Sequence, residues 1–339
     1  MTNLAILGAR GYTARELLKL LAWHPQANVI RATSRDAGGS IAELHPELSG
    51  HFDLGVTQFS VDDFVKADVQ CVFSCLPHAA SAEIVKQLLE QKIKVVDFSA
   101  DYRLNDWQTF ESTYATEHPD RDRVGNVPYG LPELFRDQIT DQQLVANPGC
   151  FPTSALLPIV PLVSAGLVES NIVVDSKSGV SGAGRSPKPH LHFPECNESV
   201  MAYAVGSHRH QPEIEHIVSR ATGTETEITF TPHLIPMERG ILSTIYLRPV
   251  GKVGSPEIAQ CLREKYDSEP FVRLRDQPPT TRDVSHSNFC DLYVAENRNR
   301  VIIISAIDNL IKGASGAAVQ NFNLMFGYPE TTGLLPTAR

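Results

Sequence analysis

Up to about residue 150, apolar and polar positions alternate between two rhythms. Leu4, Ile6 and Leu7 form a short apolar strand, GARGYTA follows, and RELLKLLAWH then sets Leu17, Leu18, Leu20 and Leu21 at helical spacing. NVIRATS (28–34) predicts a second strand, and DVQCVFSCLP (68–77) a buried strand ending in a loop. SAEIVKQLLEQ predicts an amphipathic helix, and KVVDFSADYR another strand that runs into a loop. Strands alternating with helices predict a parallel, doubly wound sheet of Rossmann type, with functional loops at the carboxyl ends of its strands.

Beyond that point the texture changes. NIVVDSKSGV, TEITFTPHLI, ILSTIYLRPV and RVIIISAIDN are strand-like segments with longer gaps, broken by a helical SPEIAQCLREKY. The expected architecture is α/β, a Rossmann-type sheet plus an α+β domain with a mixed sheet. Residues 1–148 form the dinucleotide domain, completed by a C-terminal helix over 314–339 that opens on the glycine-rich GASGAAVQNFNLMFG. Residues 149–313 form the catalytic, substrate and oligomerisation domain.

Composition narrows the class. At 339 residues the chain is long enough for two cores, and 42% hydrophobic with 20% charged residues is ordinary globular usage. A net charge of −9 argues against a nucleic-acid partner, yet a basic pocket on an acidic protein still suits an anionic small molecule. No apolar run approaches the ~20 residues that span a bilayer, and no signal peptide is expected. The six cysteines form no CxxC pair, which suits a reducing cytoplasm.

Several segments carry chemistry. In GARGYTA, Gly8, Gly11 and Ala14 recur every third residue between a strand and a helix start. This is a spacing variant of the dinucleotide fingerprint, in which small residues admit a pyrophosphate to a helix N-terminus. The second strand runs into TSRD, where Ser34 and Arg35 suit the 2′-phosphate of NADP, although Asp36 stands close by. In ANPGCFPTS, Pro148-Gly149 makes a turn and Pro152 suits the first turn of a helix. Cys150 then lies at a helix N-terminus, where the dipole favours thiolate, and Pro158 and Pro161 are expected to kink that helix. HRHQPEI supplies His208, His210 and Glu213, with the two histidines expected on the approach loop and Glu213 in the first helical turn. A metal reading of these residues lacks a third ligand. SKSGVSGAGRSPK (176–188) predicts an anion nest of backbone amides with Lys177, Arg185 and Lys188 adding charge; Arg239 and Arg103 lie on further loops.

GARGYTARELLKLL, FSCLPH, DFSADYRL, YGLPE, NPGCFPTS, SGVSGAGR, HRHQPEI, TPHLIPMERGI and DNLIKGASGAAVQNFNLMFG occur in this order over nearly the whole chain. The sequence resembles the N-acetyl-gamma-glutamyl-phosphate reductase family, within a superfamily that includes aspartate-semialdehyde and glyceraldehyde-3-phosphate dehydrogenases. Ala14, where the family pattern has glycine, and Pro158 are departures that touch no reactive group. The resemblance implies NADPH-dependent reduction of an acyl phosphate through a thioester on Cys150, with His208 as first and His210 as second choice of acid–base group. It implies that Glu213 orients the imidazole or the sulfur. Cofactor contacts are expected from Gly8, Arg10, Gly11, Tyr12, Thr13, Ala14, Ser34, Arg35, Leu76, Pro77, Ser178, Gly179 and Gly182, with Asn309 on the nicotinamide amide. Substrate contacts are expected from Ser99, Arg103, Asn147, Gly149, Arg185 and Arg239, with Asn147 and Gly149 at the oxyanion. A homodimer or homotetramer is expected, with no metal and no membrane. Two rivals are an aspartate-semialdehyde dehydrogenase, which has no acetamido group to recognise, and an NADP-binding redox sensor, which leaves Cys150 and the histidine pair without a shared task.

Overall fold

The computed structural model describes residues 1–335 and divides into two compact units, Met1–Pro148 with the chain from Ala314, and Gly149–Gly313. In the first unit, β1 (Thr2–Leu7), β2 (Ala27–Thr33), β3 (Val56–Thr57), β4 (Cys71–Ser74), β5 (Lys94–Asp97) and β6 (Leu144–Ala146) form one sheet. All pairings are parallel and the order is β3-β2-β1-β4-β5-β6. The chain runs outward from β1 to one edge, then returns past it to the other. The carboxyl ends of β1 and β4 therefore part at the switch point where such sheets take ligands.

Both faces of this sheet are covered, so the middle positions of β1, β4 and β5 are apolar and buried. Leu4, Ile6, Phe73 and Val96 pack with the helix Tyr12–Leu21 and with Ala318, Val319 and Phe322 of the helix Gly316–Met325; Ala5, Leu7, Val72 and Val95 pack with Val85 and Leu88 on the other side. The C-terminal helix ends at Met325 rather than continuing to 339, because the Phe326, Gly327 and Tyr328 amides turn back onto carbonyls of its last turn. Residues 336–339 lie outside the described residues.

The second unit holds β7 (Asn171–Gly179), β8 (Met201–Ala202), β9 (Glu227–Ile235), β10 (Ile241–Leu247), β11 (Val272–Leu274), β12 (Cys290–Asn297) and β13 (Arg300–Ile307). They form a mixed sheet in the order β11-β12-β13-β10-β7-β9-β8. One face packs under the helices Cys150–Ser164, His210–Thr222 and Ser255–Tyr266 through Ile172, Val174, Phe230, Ile245 and Ile303. The other face carries half-buried Val173, Leu242, Tyr246, Ile302 and Ile304.

The helix after Cys150 is continuous through Pro158 and Pro161. Pro161 has no N–H for the carbonyl of Leu157, and the Tyr266 hydroxyl donates there instead, at 2.5 Å. The lost backbone bond is replaced by a tertiary one.

Candidate active site

In the first unit, β1 ends at Gly8, whose φ of +75° suits glycine. A Cβ there would stand 2.5 Å from the carbonyl oxygen of Cys75, so β4 and β1 approach only because the side chain is absent. Gly11 is different: a Cβ would meet nothing closer than the Gly8 oxygen at 3.6 Å. Its bareness serves no internal packing and leaves the approach to the helix open. The helix Tyr12–Leu21 starts with no side-chain cap and no acid in its first turn, so its first amides present partial positive charge. A bare glycine before an uncapped helix fits a dinucleotide pyrophosphate.

The two glycines make a separable prediction. Gly8→Ala is expected to lower stability by about 2 kcal/mol or more, read as a drop in urea midpoint, because it combines a left-handed φ with a backbone clash. Gly11→Ala is expected to keep the wild-type midpoint and lose dinucleotide affinity. Equal midpoints for both variants would contradict the distinction.

Around this loop, Arg10 donates to the carbonyls of Asp36 and Gly38 at 3.0 and 3.3 Å and so ties the fingerprint to the turn after β2. Ser34 is half-buried and Arg35 exposed at that turn. Leu76 and Pro77 follow β4, and Tyr12 and Thr13 open the helix with Ala14 buried beneath them.

Deeper in the first unit lies a polar network. Asp97 is fully buried and accepts from the hydroxyls of Ser81 and Ser99 at 2.7 and 2.6 Å. Burial, and then the neighbouring Asp101 charge, push its carboxyl above the usual range. The Ser99 hydroxyl also accepts from the Asp101 amide, which ties it into this network. Arg103 is buried and donates to the carbonyls of Asn147 and Phe98 at 2.8 and 2.7 Å. Asn147 in turn donates to the Ala314 carbonyl and accepts from Asn321. The polar groups found for these three residues bond within the first unit, where local sequence had suggested display on loops.

The second unit opens on Gly149, the N-cap of the helix that Cys150 begins. The Gly149 amide donates to Glu213 at 2.9 Å, and Glu213 is only 1% exposed. Glu213 thus holds the backbone immediately before the sulfur. Behind Cys150, a Cβ on Gly313 would lie 2.8 Å from the Cys150 Cβ. Gly313 therefore lets the chain after β13 close against the cysteine.

His210 is the first residue of the helix His210–Thr222, not part of the approach loop, because its carbonyl already enters the helical ladder. His208 precedes it, ringed by Phe151, Tyr203, Phe230 and His210 at centroid distances of 4.9–5.6 Å. Burial, and then the Arg209 charge, lower the His208 pKa to about 4. The His210 amide donates to His208 Nδ1 at 3.1 Å. An Nδ1 that accepts cannot carry the proton, so neutral His208 is protonated at Nε2 and offers a donor there. Tyr203, which sequence reasoning missed, has its hydroxyl pKa raised by burial and then by the Cys150 charge. No local signal marks it, since its role depends on the fold of the loop before His208.

The predicted anion nest is not open. The amides of Gly179, Val180 and Ser181 donate to the carbonyls of Gly240, Met237 and Glu238 at 2.9–3.0 Å. Gly179 permits this, since a Cβ would stand 2.7 Å from the Glu238 oxygen. Lys177 pairs with Asp175 on the sheet, and Lys188 and Arg185 are exposed on the loop beyond. Asn309 bridges the two segments: it accepts from the Gly240 amide at 2.7 Å and donates to the Ser181 hydroxyl at 3.0 Å. Ser178 is buried and donates to the Gly179 carbonyl, while a Cβ on Gly182 would lie 3.1 Å from the Ser178 hydroxyl. Arg239, 8% exposed, pairs with Asp308. Among the described residues, no group of three or more His, Cys, Asp or Glu could hold a metal ion.

A parallel dinucleotide-type unit joined to a mixed-sheet unit that starts a helix on a cysteine and holds a half-buried histidine has the architecture of a semialdehyde dehydrogenase. The family model for the semialdehyde dehydrogenase NAD binding domain matches residues 3–142, and that for the semialdehyde dehydrogenase dimerisation domain matches residues 150–309. Aspartate semialdehyde dehydrogenase II from Vibrio cholerae superposes with a TM-score of 0.73 at 15% identity, over 96% of this chain and 98% of that one. The Candida albicans enzyme with NADP superposes at 0.71 and 16% identity, over 96% and 98%. These neighbours share the fold. Sequence goes further: the N-acetyl-gamma-glutamyl-phosphate reductase of Rhodopirellula baltica is 52% identical over 98% of both chains. That of Methanocaldococcus jannaschii is 44% identical over 98% of both. The chain belongs to the N-acetyl-gamma-glutamyl-phosphate reductase family.

Proposed function

We propose that the protein reduces N-acetyl-gamma-glutamyl phosphate to N-acetylglutamate 5-semialdehyde with release of phosphate, a step of arginine biosynthesis. The observation that carries this is Cys150 at the start of a helix without a side-chain cap, in the same unit as the half-buried neutral imidazole of His208, in a chain 52% identical to a reductase of that name.

The Cys150 thiolate attacks the acyl carbonyl. A C–S bond forms, the carbon–oxygen bond to phosphorus breaks, and inorganic phosphate leaves a thioester. The Gly8–Ala14 loop with Ser34 and Arg35 would hold NADPH, which would supply the hydride. The C–S bond then breaks, the thiolate is regenerated and the aldehyde departs. A thioester accepts hydride where a carboxylate does not, which is why the covalent step is needed.

The helix dipole favours the thiolate. His208, donor at Nε2 and neutral above about pH 4, suits a hydrogen bond to the thiolate and then to the oxyanion. With Nε2 already protonated, His208 is not the acceptor of the thiol proton, and His210 is the candidate for that transfer. Glu213 fixes the Gly149 amide and so sets the line of attack. Arg239 and Arg185 are the cations for the substrate carboxylate and phosphate. Gel-phase digestion and mass spectrometry of enzyme mixed with acyl phosphate and no dinucleotide tests the covalent step. An acyl adduct on the peptide bearing Cys150 is expected; an adduct elsewhere, or none, contradicts it.

NADPH is the proposed cofactor, because Ser34 and exposed Arg35 follow β2. Losing one charge-assisted phosphate contact costs roughly 10- to 150-fold in affinity. Arg35→Ala is expected to weaken NADPH by that factor and leave NADH nearly unchanged in fluorescence titrations. Equal weakening of both would assign Arg35 to the fold alone.

The half-buried apolar face formed by Val173, Leu242, Tyr246, Ile302 and Ile304 lies in the segment matched as a dimerisation domain. We take it as the face met by a second copy in a homodimer or homotetramer. No described helix is long and apolar enough to cross a membrane, and we place the enzyme in the cytoplasm, which suits its six free cysteines.

A further inference from the structure

Asp308 immediately follows β13 and is 0% exposed. Its two carboxylate oxygens face two different tasks. Oδ1 accepts from the amides of Leu310 and Ile311 at 2.9 and 3.2 Å. Oδ2 accepts from Arg239 Nη1 at 3.1 Å and from the His286 amide at 2.7 Å. His286 itself has a φ of +61°, a conformation the loop holds with that bond in place. The main-chain carbonyl of Asp308 accepts from the Gly313 amide at 2.9 Å, and Gly313 is the residue that closes against Cys150.

We propose that Asp308 is the positioning residue of the catalytic unit: one oxygen aims the Arg239 guanidinium at the substrate anion, and the other seats Cys150 through the Leu310–Gly313 turn. The inference rests on the acyl-phosphate reading of the site. Arg239 is nearly buried, and its other acidic neighbour, Glu238, stands at 3.8 Å with a side chain 70% exposed. The Asp308 charge is therefore the close, dry partner that orients the cation. Ile311 begins a π-helical turn in which the Gly313 amide bonds the Asp308 carbonyl five residues back, and the Asp308 side chain fixes the Leu310 and Ile311 amides that enter it. No contact between Asp308 and the sulfur is required.

The two halves separate by substitution. In Asp308→Asn the amide oxygen can keep the Leu310 and Ile311 bonds, but its NH₂ then faces the N–H groups of Arg239 and His286, donor against donor. Asp308→Ala removes both halves. Two readouts follow: KM for the acyl phosphate, and the pH profile of Cys150 alkylation by iodoacetamide, which needs neither substrate nor dinucleotide. The Asn variant is expected to raise KM by roughly 10- to 150-fold with the alkylation profile of wild type. The Ala variant is expected to raise KM similarly and also to shift the alkylation profile toward that of a free thiol. Parallel loss of both readouts in both variants, or loss of neither, would overturn the assignment. Should the Ala variant not accumulate as folded protein, an Arg239→Met background decides. There Asp308→Asn is expected to cause no further loss in kcat/KM, whereas a full multiplying loss would overturn the coupling. If wild-type enzyme fails to turn over the acyl phosphate, the proposed function falls, and the alkylation arm still tests the seat of Cys150.

Discussion

Cys150→Ser is expected to abolish reductive turnover while leaving dinucleotide binding close to wild type. The sulfur begins the helix Cys150–Ser164, where dipole and first-turn amides favour an anion. A serine hydroxyl in the same place is scarcely ionised at neutral pH, and neither the dipole nor a neutral imidazole closes that gap. Removing a catalytic group that acts in concert with others costs at least ~10³-fold. The dinucleotide loop lies in the other unit, Met1–Pro148, so titration of NADPH fluorescence is expected to give the wild-type dissociation constant. Retention of more than about a tenth of wild-type turnover would remove Cys150 from the chemistry.

His208→Asn carries the second large effect, a loss of roughly 10²- to 10³-fold in kcat, the scale of a removed oxyanion donor. Because His208 donates from Nε2 while its Nδ1 is occupied by the His210 amide, its loss is expected to move Cys150 alkylation toward a free thiol's pKa of about 8.5. His210→Asn is expected to lower turnover with a smaller change in that profile. The opposite ranking would exchange the two roles. The same imidazole has a pH signature in stability. In the unfolded chain it protonates near 6.5, whereas the fold holds it neutral down to about 4. A folded pKa lowered in this way makes the unfolded state bind the extra proton between these values. Its contribution is present above pH 6.5 and is lost as pH falls toward 4, with a slope that approaches about 1.4 kcal/mol per pH unit. Urea melts across that window are expected to show a shallower pH dependence in His208→Asn than in wild type.

Much of the fold was legible because burial on both faces writes itself into local sequence. β1, β4 and β5 carry apolar runs ended by loop residues, and the helices Tyr12–Leu21 and Ala82–Glu90 carry regular stripes. β12 was not legible: Asp291 interrupts its apolar pattern, and only the fold supplies Arg273, at 2.6 Å, to neutralise that buried carboxylate. β3 and β8, two residues each, carry too little pattern to mark a strand.

The site divides the same way. The turn, helix start and lone thiol at Cys150 are adjacent in sequence and could be read there. Whether the amides of Gly179, Val180 and Ser181 face solvent or the carbonyls of the Met237–Gly240 loop is a tertiary question. Local glycine content answered it wrongly. Gly313 and Tyr203 acquire meaning from their approach to Cys150, and Asn309 from the two loops it joins. The uninterrupted helix through Pro158 and Pro161 depends on Tyr266, a residue no local pattern connects to it.

Turnover with two acyl phosphates, compared side by side, tests the central claim most directly. Enzyme and NADPH are mixed in turn with freshly generated N-acetyl-gamma-glutamyl phosphate and with aspartyl phosphate, and dinucleotide oxidation and phosphate release are followed together. The account predicts equal amounts of oxidised dinucleotide and phosphate with the first substrate, and little of either with the second. A site built for a longer, acetylated chain loses binding energy when that group is missing. Preference for aspartyl phosphate, or phosphate release without matching oxidation, would contradict it.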